Sequence, residues 1–290
     1  MRVLLTLVLG FAFLVAPGAS EAQFGGFGDK LKKIKETTGL DLDSAKTVIA
    51  GYSYEEERAI GQQIMGNLLG AAPLVDDPAL QEYVNLVGLW VAVQSDRADI
   101  DWVFGVLEDD SVNAFAAPGG LVLITKGLYQ LIDSEAELAA VLAHEIVHVT
   151  EKHHLDLLRK GTAVNIGANL AKSQVGDSGG MANEAIQNLI GNGAEILARG
   201  LDKSSEHEAD EKGMRLASDA GYTPMGMVEV VVALGNKSSN EGKSSMDLML
   251  STHPSPDARL DELDQAFDDQ LEERLEFPEL ASRFSEHAVP

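Results

Sequence analysis

The sequence predicts an α+β fold that is mainly α-helical, with a small mixed sheet packed on one central helix. Three observations carry that reading. Ser134 followed by Glu137 forms a capping-box pattern, and Leu138, Val141, Leu142 and Val149 then recur at helical intervals. Trp102 to Leu107 and Leu121 to Thr125 have the short apolar runs of strands. Leu260, Leu263, Phe267 and Leu271 place one apolar stripe along a helix near the end of the chain.

The chain begins with Arg2 and an apolar run over residues 3–16, followed by small residues through Ala16-Pro17-Gly18-Ala19-Ser20-Glu21-Ala22. Residues 1–22 therefore read as a secretory signal, which places the protein in the periplasm. The run is too short to span a bilayer comfortably, and no other stretch approaches 18 uninterrupted apolar residues, so no transmembrane segment is expected in the mature chain. Residues 23–51 mix Gly, Phe and Lys and are expected to form a flexible leader with one short helix. At 290 residues and 45% apolar content the chain is long enough to bury a sizeable core. Cysteine is absent, which excludes disulfides, a cysteine nucleophile and a lipidated cysteine at the signal cleavage site. A net charge of −24 argues against nucleic acid as a partner, because like charges repel.

The central helix carries the strongest chemical signal, His144-Glu145-Ile146-Val147-His148, which is H-E-x-x-H. Positions i and i+4 share one helix face, so both imidazoles reach a single metal ion while Glu145 leans toward the same pocket. Two neutral imidazoles hold Zn²⁺ with a coordination position left for water. A carboxylate off the metal takes the water's proton as it attacks a peptide carbonyl. The competing reading is a chance pattern on a solvated helix. Ile146 and Val147 argue against it, since they leave the segment apolar on most sides, and histidines on a buried helix need partners.

A catalytic zinc takes three protein ligands. The best third candidate is Glu206, with Asp210 one turn further on and able to accept a hydrogen bond from the outer nitrogen of a ligating histidine. An acidic, solvated helix face is the alternative for these two residues. His207, Glu208, His153 and His154 are expected at the surface, and His287 has no recognisable partner. His253-Pro254-Ser255-Pro256 reads as a rigid turn before the last helix, with Ser255 as cap and Pro256 at its first position. Residues 161–200 lie between the second histidine and Glu206 and form either a lid over the cleft or an ordinary surface loop. Residues 256–290 hold 11 acidic and 3 basic side chains, and 276–290 are expected to trail as an acidic tail.

Taken together and in order, these pieces resemble the zinc-dependent gluzincin peptidases of metallopeptidase family forty-eight. Glu57 with Gly61 resembles an E-x-x-x-G element, and Asn113 to Gly120 resembles N-A-F-A-x-P-G-G. Glu206 to Asp210 with Gly213 resembles E-x-E-A-D-x-x-G, Ala220 to Pro224 resembles A-G-Y-x-P, and His253-Pro254 with Arg259 resembles H-P-x-x-x-x-R. The likeness covers about residues 52–264, within a metallopeptidase domain placed at 52–275. It is to a soluble secreted branch without a carboxy-terminal tetratricopeptide array.

The resemblance implies a zincin-like fold and one Zn²⁺ per chain, held by His144, His148 and Glu206. Glu145 would be the general base and Asp210 the partner of a ligating histidine. It also implies that Asn113, Ala114, Phe115 and Ala116 pair with extended substrate along a strand edge. His253 would lie near the metal, either polarising the reacting carbonyl or filling the open coordination position at rest, with Arg259 as electrostatic support.

The expected function is that of a zinc endopeptidase. Its expected substrates, misfolded or unassembled envelope proteins, come from the resemblance alone. The rival is a zinc-stabilised chaperone or assembly factor with suppressed proteolysis. Glu145 favours the enzyme, and His253 keeps the rival open.

Overall fold

A computed structural model describes residues 51–160, 200–240, 249 and 253–289. The expected signal segment, nearly all of the leader, and residues 161–199 of the expected lid or loop lie outside the described residues. Two helices come first: α1 spans Tyr54–Ala71 and α2 spans Pro78–Ala92. Both start on strong local signals. Ser53 and Glu56 exchange backbone and side-chain hydrogen bonds in a capping box, and Asp77 caps α2 with Pro78 in its first turn.

Three strands follow, β1 (Val103–Leu107), β2 (Ala114–Ala117) and β3 (Leu121–Thr125), in the spatial order β1-β3-β2. The β1–β3 pair is parallel and the β2–β3 pair antiparallel, which makes the small mixed sheet that the sequence predicts. The two outer edges differ. The edge of β1 is covered by residues 73–75, where Val75 N–H donates to the Val106 carbonyl at 2.9 Å and Leu74 forms an isolated bridge with Leu107. The outer edge of β2 has no strand partner among the described residues.

After the short α3 (Lys126–Tyr129) comes α4, Glu135–Thr150, the central helix. Every residue from Glu135 to Val149 is buried, because α2, β2 and the later helices pack on several of its sides. Its cap is as expected: the Ser134 hydroxyl accepts from Glu137 N–H at 3.1 Å. Residues 153–160 are helical again, after a turn at Lys152, which takes a positive φ of 60°. Then come α5 (Lys203–Asp219), which runs along α4, α6 (Met225–Asn240) and α7 (Pro256–Ala266). Pro256 opens α7 as expected, but Ser255 makes no side-chain cap hydrogen bond, and α7 is not the last helix: it stops at Ala266, so the stripe from Leu260 to Leu271 is divided between α7 and the next helix. Two short helices end the chain, α8 (Asp269–Glu272) and α9 (Ala281–Ser285).

Of the expected acidic tail over 276–290, the described residues 276–289 are not the trailing arm that their acidity suggests. Phe284 is buried in the main core, and the Glu279 carbonyl accepts from Ala136 N–H at 3.0 Å, satisfying one of the free donors at the start of α4. Glu135, fully buried, accepts from Tyr83 at 2.8 Å and Tyr222 at 2.7 Å and pairs with Arg283. Burial alone would raise the Glu135 carboxyl, but these three donors outweigh it and hold the pKa below the usual range. His287 does have a partner: its ring stacks on Tyr83 with centroids 4.0 Å apart.

The elements meet at close quarters where the sequence has glycine. At Gly61 on α1, a Cβ would stand 1.9 Å from the Pro118 carbonyl oxygen, so α1 lies on the turn after β2 only because that side chain is absent. Gly66, one turn on, faces open space. Gly61→Ala is therefore expected to destabilise the fold by about 1–3 kcal/mol or more. Gly66→Ala is expected to stabilise it by up to about 1 kcal/mol through helix propensity. Thermal melts of the two variants check the opposite signs.

Candidate active site

Helices α4 and α5 bring the candidate ligands together. His144 and His148 lie on the α4 face that meets α5, and their Nε2 atoms are 3.0 Å apart. Glu206 on α5 offers its two carboxylate oxygens to them, with Oε2 3.7 Å from His144 Nε2 and Oε1 3.6 Å from His148 Nε2. All three side chains are buried. Gly213, two turns beyond Glu206, lets α5 approach this closely, since a Cβ there would sit 3.0 Å from the His144 backbone nitrogen. Two imidazole nitrogens and a carboxylate converging in an apolar interior make a donor set suited to a divalent metal.

Asp210 is not on a solvated face. Its Oδ1 accepts from His144 Nδ1 at 2.9 Å, so the His144 Nε2 is directed at Glu206 and His148. Arg259 on α7 holds the same carboxylate in a fork, with Nη2 donating to Oδ1 at 2.6 Å and Nε to Oδ2 at 2.8 Å. Burial opposes the Asp210 charge, but Arg259 and His144 outweigh it and hold the carboxyl below its ordinary range. Burial likewise pulls His144 down, yet hydrogen bonds to Asp210 and Glu206 push it up to about 10. Glu206 is also held low: burial works against its charge and the surrounding histidines, His253 first, override it. Glu145, next to His144 in the chain, is buried and lines the clefts that hold His144 and His148, and burial raises its carboxyl above the usual value.

His253, just before α7, enters the donor group directly. Its Nδ1 hydrogen-bonds Glu206, and one ligand atom each from His144, Glu206 and His253 lie within 4.8 Å of one another. Its side chain is 14% exposed, so it stands between the buried ligands and solvent.

His153 and His154 are not surface residues; both are 8% exposed. His153 Nδ1 lies 2.8 Å from His148 Nδ1, one nitrogen donating to the other, and the His154 ring centroid is 5.8 Å from that of His148. Glu208, expected at the surface, is 40% exposed and brings Oε2 to 3.4 Å from His153 Nε2. His207 is only partly exposed. Burial pulls His154 down to about 4 and keeps it neutral. What turns these histidines inward is Lys152. Its positive φ is an uncommon conformation for a side-chain-bearing residue, and its ammonium lies 2.5 Å from the buried Glu57, which Arg97 also contacts at 2.7 Å. The H-x-x-x-x-H spacing from His148 to His153 was the available signal, but a helix continued through 152 would have sent His153 elsewhere.

The expected edge strand begins beside these groups. Asn113 and Ala114 border one cleft with His144 and Glu145, and Asn113 to Ala116 border a second with His148, His154 and Glu206. The backbone of Asn113 is paired to Thr125, while its buried Oδ1 has no hydrogen-bond partner among the described residues.

Comparison with known proteins agrees with this geometry. The profile of Peptidase family M48 matches residues 78–266. The chain is 31% identical over 237 residues to the beta-barrel assembly-enhancing protease of Yersinia pestis, covering 78% of this chain and 48% of that protein. It is 29% identical over 214 residues to the protein of that name in Escherichia coli K12, with 72% and 43% coverage. It is also 29% identical over 183 residues to the mitochondrial metalloendopeptidase OMA1 of Schizosaccharomyces pombe, with 63% and 52% coverage. The chain thus spans about half the length of these relatives. No helix among the described residues is long and apolar enough to cross a membrane.

If Asp210 sets the His144 ring, Asp210→Asn should lower zinc affinity about ten- to a hundredfold in competition with a chelator. In the wild type, a proton occupies the metal-free His144 below about pH 10, so apparent metal affinity should climb as pH rises toward that value. The Asn variant, lacking the charge that raises His144, should show a weaker pH dependence in the same titration.

Proposed function

The chain belongs to peptidase family M48, whose members are metallopeptidases, and we propose that it is a zinc endopeptidase acting on misfolded or unassembled cell-envelope proteins. One observation carries this reading: His144 Nε2, His148 Nε2 and the Glu206 carboxylate converge beside Glu145 and β2, whose outer edge has no strand partner among the described residues. The donor set fits Zn²⁺, one per chain, with these three residues as its ligands and Asp210 orienting His144. Bound there, zinc supplies Lewis acidity toward the attacking water and the scissile carbonyl.

The protein's own groups do the rest. Glu145 takes the proton from the attacking water and returns it to the leaving amine nitrogen. Burial suits it to both roles, because a raised carboxyl pKa brings acid and base forms closer to balance near neutral pH. Extended substrate adds to the outer edge of β2 along Asn113, Ala114, Phe115 and Ala116: the backbone of Asn113 is taken up by Thr125, so Asn113 contributes its Oδ1, free to accept a substrate N–H, and the main-chain contacts come from the strand residues Ala114 to Ala116. Such pairing needs a polypeptide whose own backbone is unpaired. That requirement favours unfolded or unassembled proteins.

The envelope setting and the periplasmic location draw on the signal-like residues 1–22 and on relatives named for enhancing beta-barrel assembly. The net charge of −24 continues to argue against nucleic acid. A second reading, a zinc-stabilised assembly factor whose hydrolysis is held in check, is favoured by His253, whose contact with Glu206 puts a third imidazole among the donor atoms. In the proteolytic reading this residue restrains a working enzyme, with Arg259 fixing the helix behind it.

Two variants separate these roles. Glu145→Gln should keep its zinc and lose cleavage of an unfolded protein by at least about a hundredfold. Equal proteolysis by wild type and variant would rule out Glu145 as the base. His253→Ala should retain zinc and cleave faster than wild type. A fall of about a hundredfold would instead assign His253 to the reacting carbonyl, where such contacts act in the transition state.

A further inference from the structure

The two histidines of α4 are held from behind in different ways. On His144 the outer nitrogen, Nδ1, meets the Asp210 carboxylate at 2.9 Å. On His148 the same nitrogen meets another imidazole, with Nδ1 of His153 2.8 Å away. Both rings are buried, so bulk water does not compete for this contact. Two ring nitrogens at that distance share one proton, and the role of His148 decides which of them carries it. An imidazole that presents Nε2 to a metal keeps its proton on Nδ1. His148 therefore donates and His153 Nδ1 accepts. A neutral His153 then carries its own proton on Nε2, which faces the Glu208 carboxylate at 3.4 Å. Glu208 is fixed in turn by Lys212, whose ammonium lies 2.7 Å from it and 2.7 Å from Glu151, the residue that ends α4.

We propose that His153 is a positioning residue of the metal centre: it accepts the His148 Nδ1 proton, so that His148 Nε2 is the nitrogen turned to the metal, and it is itself set by Glu208. The proposal rests on the reading of His148 as a metal ligand and extends it to a residue outside the donor set. The fold brings His153 to this place by a local device. With φ at 60°, Lys152 turns the chain out of the line of α4, and Glu57 holds the Lys152 ammonium. His153 thereby returns beneath the helix that it has just left.

The surroundings agree with a fixed tautomer. A buried imidazole with an unpaired nitrogen is costly, and His153 has a partner at each of its two: His148 on one side and Glu208 on the other. Helix α5 supplies both the ligand Glu206 and, two residues on, Glu208. The same helix thus sets the front of the donor group and the far end of the contact behind it. A neutral imidazole accepts less strongly than the carboxylate behind His144, so losing it should cost about tenfold in metal affinity, the lower end of the range for such orienting contacts.

The test has two readouts. In the zinc-loaded full chain labelled with ¹⁵N-histidine, long-range ¹H–¹⁵N spectra should show His153 with a bare Nδ1 and a proton on Nε2. This spectrum needs no variant, so it stands even where a substitution unfolds the chain. Zinc affinity, measured against a chelator, is the second. His153→Leu removes the acceptor at similar bulk and should weaken binding about tenfold. His153→Asn puts an accepting Oδ1 where Nδ1 stood and should bring affinity back to within about threefold of wild type. A merely structural His153 would give the reverse order, since Leu fills buried space better than Asn. A proton on His153 Nδ1, unchanged affinity in His153→Leu, or Asn no better than Leu would overturn the proposal and leave the metal centre standing. Unchanged zinc affinity in His148→Ala would overturn both.

Discussion

The site depends on a buried carboxylate held between a histidine and an arginine from two other helices. Asp210 on α5 accepts from His144 on α4 and from Arg259 on α7, with all three side chains withdrawn from solvent. Such an arrangement adds little net stability, because each charge had to leave water to form it. Removing one member is another matter: an unpaired buried charge costs about 3–5 kcal/mol. The three helices are thereby kept in one relative placement, and that placement aims His144 Nε2 at Glu206 and His148. The orientation of His144 Nε2 is a consequence of electrostatics one layer further in.

A second layer of constraint comes from helix α4 itself, which is buried over almost its whole length. A buried helix must satisfy its first backbone donors and its charged residues within the protein. Here the chain's end does so, with the Glu279 carbonyl on Ala136 N–H and Arg283, Tyr83 and Tyr222 on Glu135. At the other end, Glu57 holds the Lys152 turn that folds His153 and His154 back beneath His148. The motif glycines belong to the same scheme. Gly61 admits the Pro118 carbonyl and Gly213 admits the α4 backbone, so α1 seats on the turn after β2, and α5 on α4, as closely as backbones allow.

Much of this was legible in the sequence. H-E-x-x-H on an apolar segment gave the central helix, and the Glu206 and Asp210 spacing gave one residue facing the histidine pair and one behind it. The short apolar runs at 102–107 and 121–125 gave two strands to within a residue. What could not be read was everything decided by distant contacts. His153 and His154 look like surface residues until the positive φ at Lys152 is known, and that conformation depends on Glu57, nearly a hundred residues earlier. The acidic end of the chain looked solvated because its composition says nothing about Arg283 meeting Glu135 or His287 stacking on Tyr83. Local pattern fixes which helix face is apolar. It does not reveal which remote side chain completes a buried charge.

The central claim is that two histidines of α4 and one glutamate of α5 form a single metal centre oriented by Asp210. Anomalous diffraction at the zinc edge from crystals of the zinc-loaded protein tests it most directly. One strong peak is expected within about 2.0–2.2 Å of His144 Nε2, His148 Nε2 and a Glu206 carboxylate oxygen. A peak on His153 and His154, or zinc bound without Glu206, would contradict it.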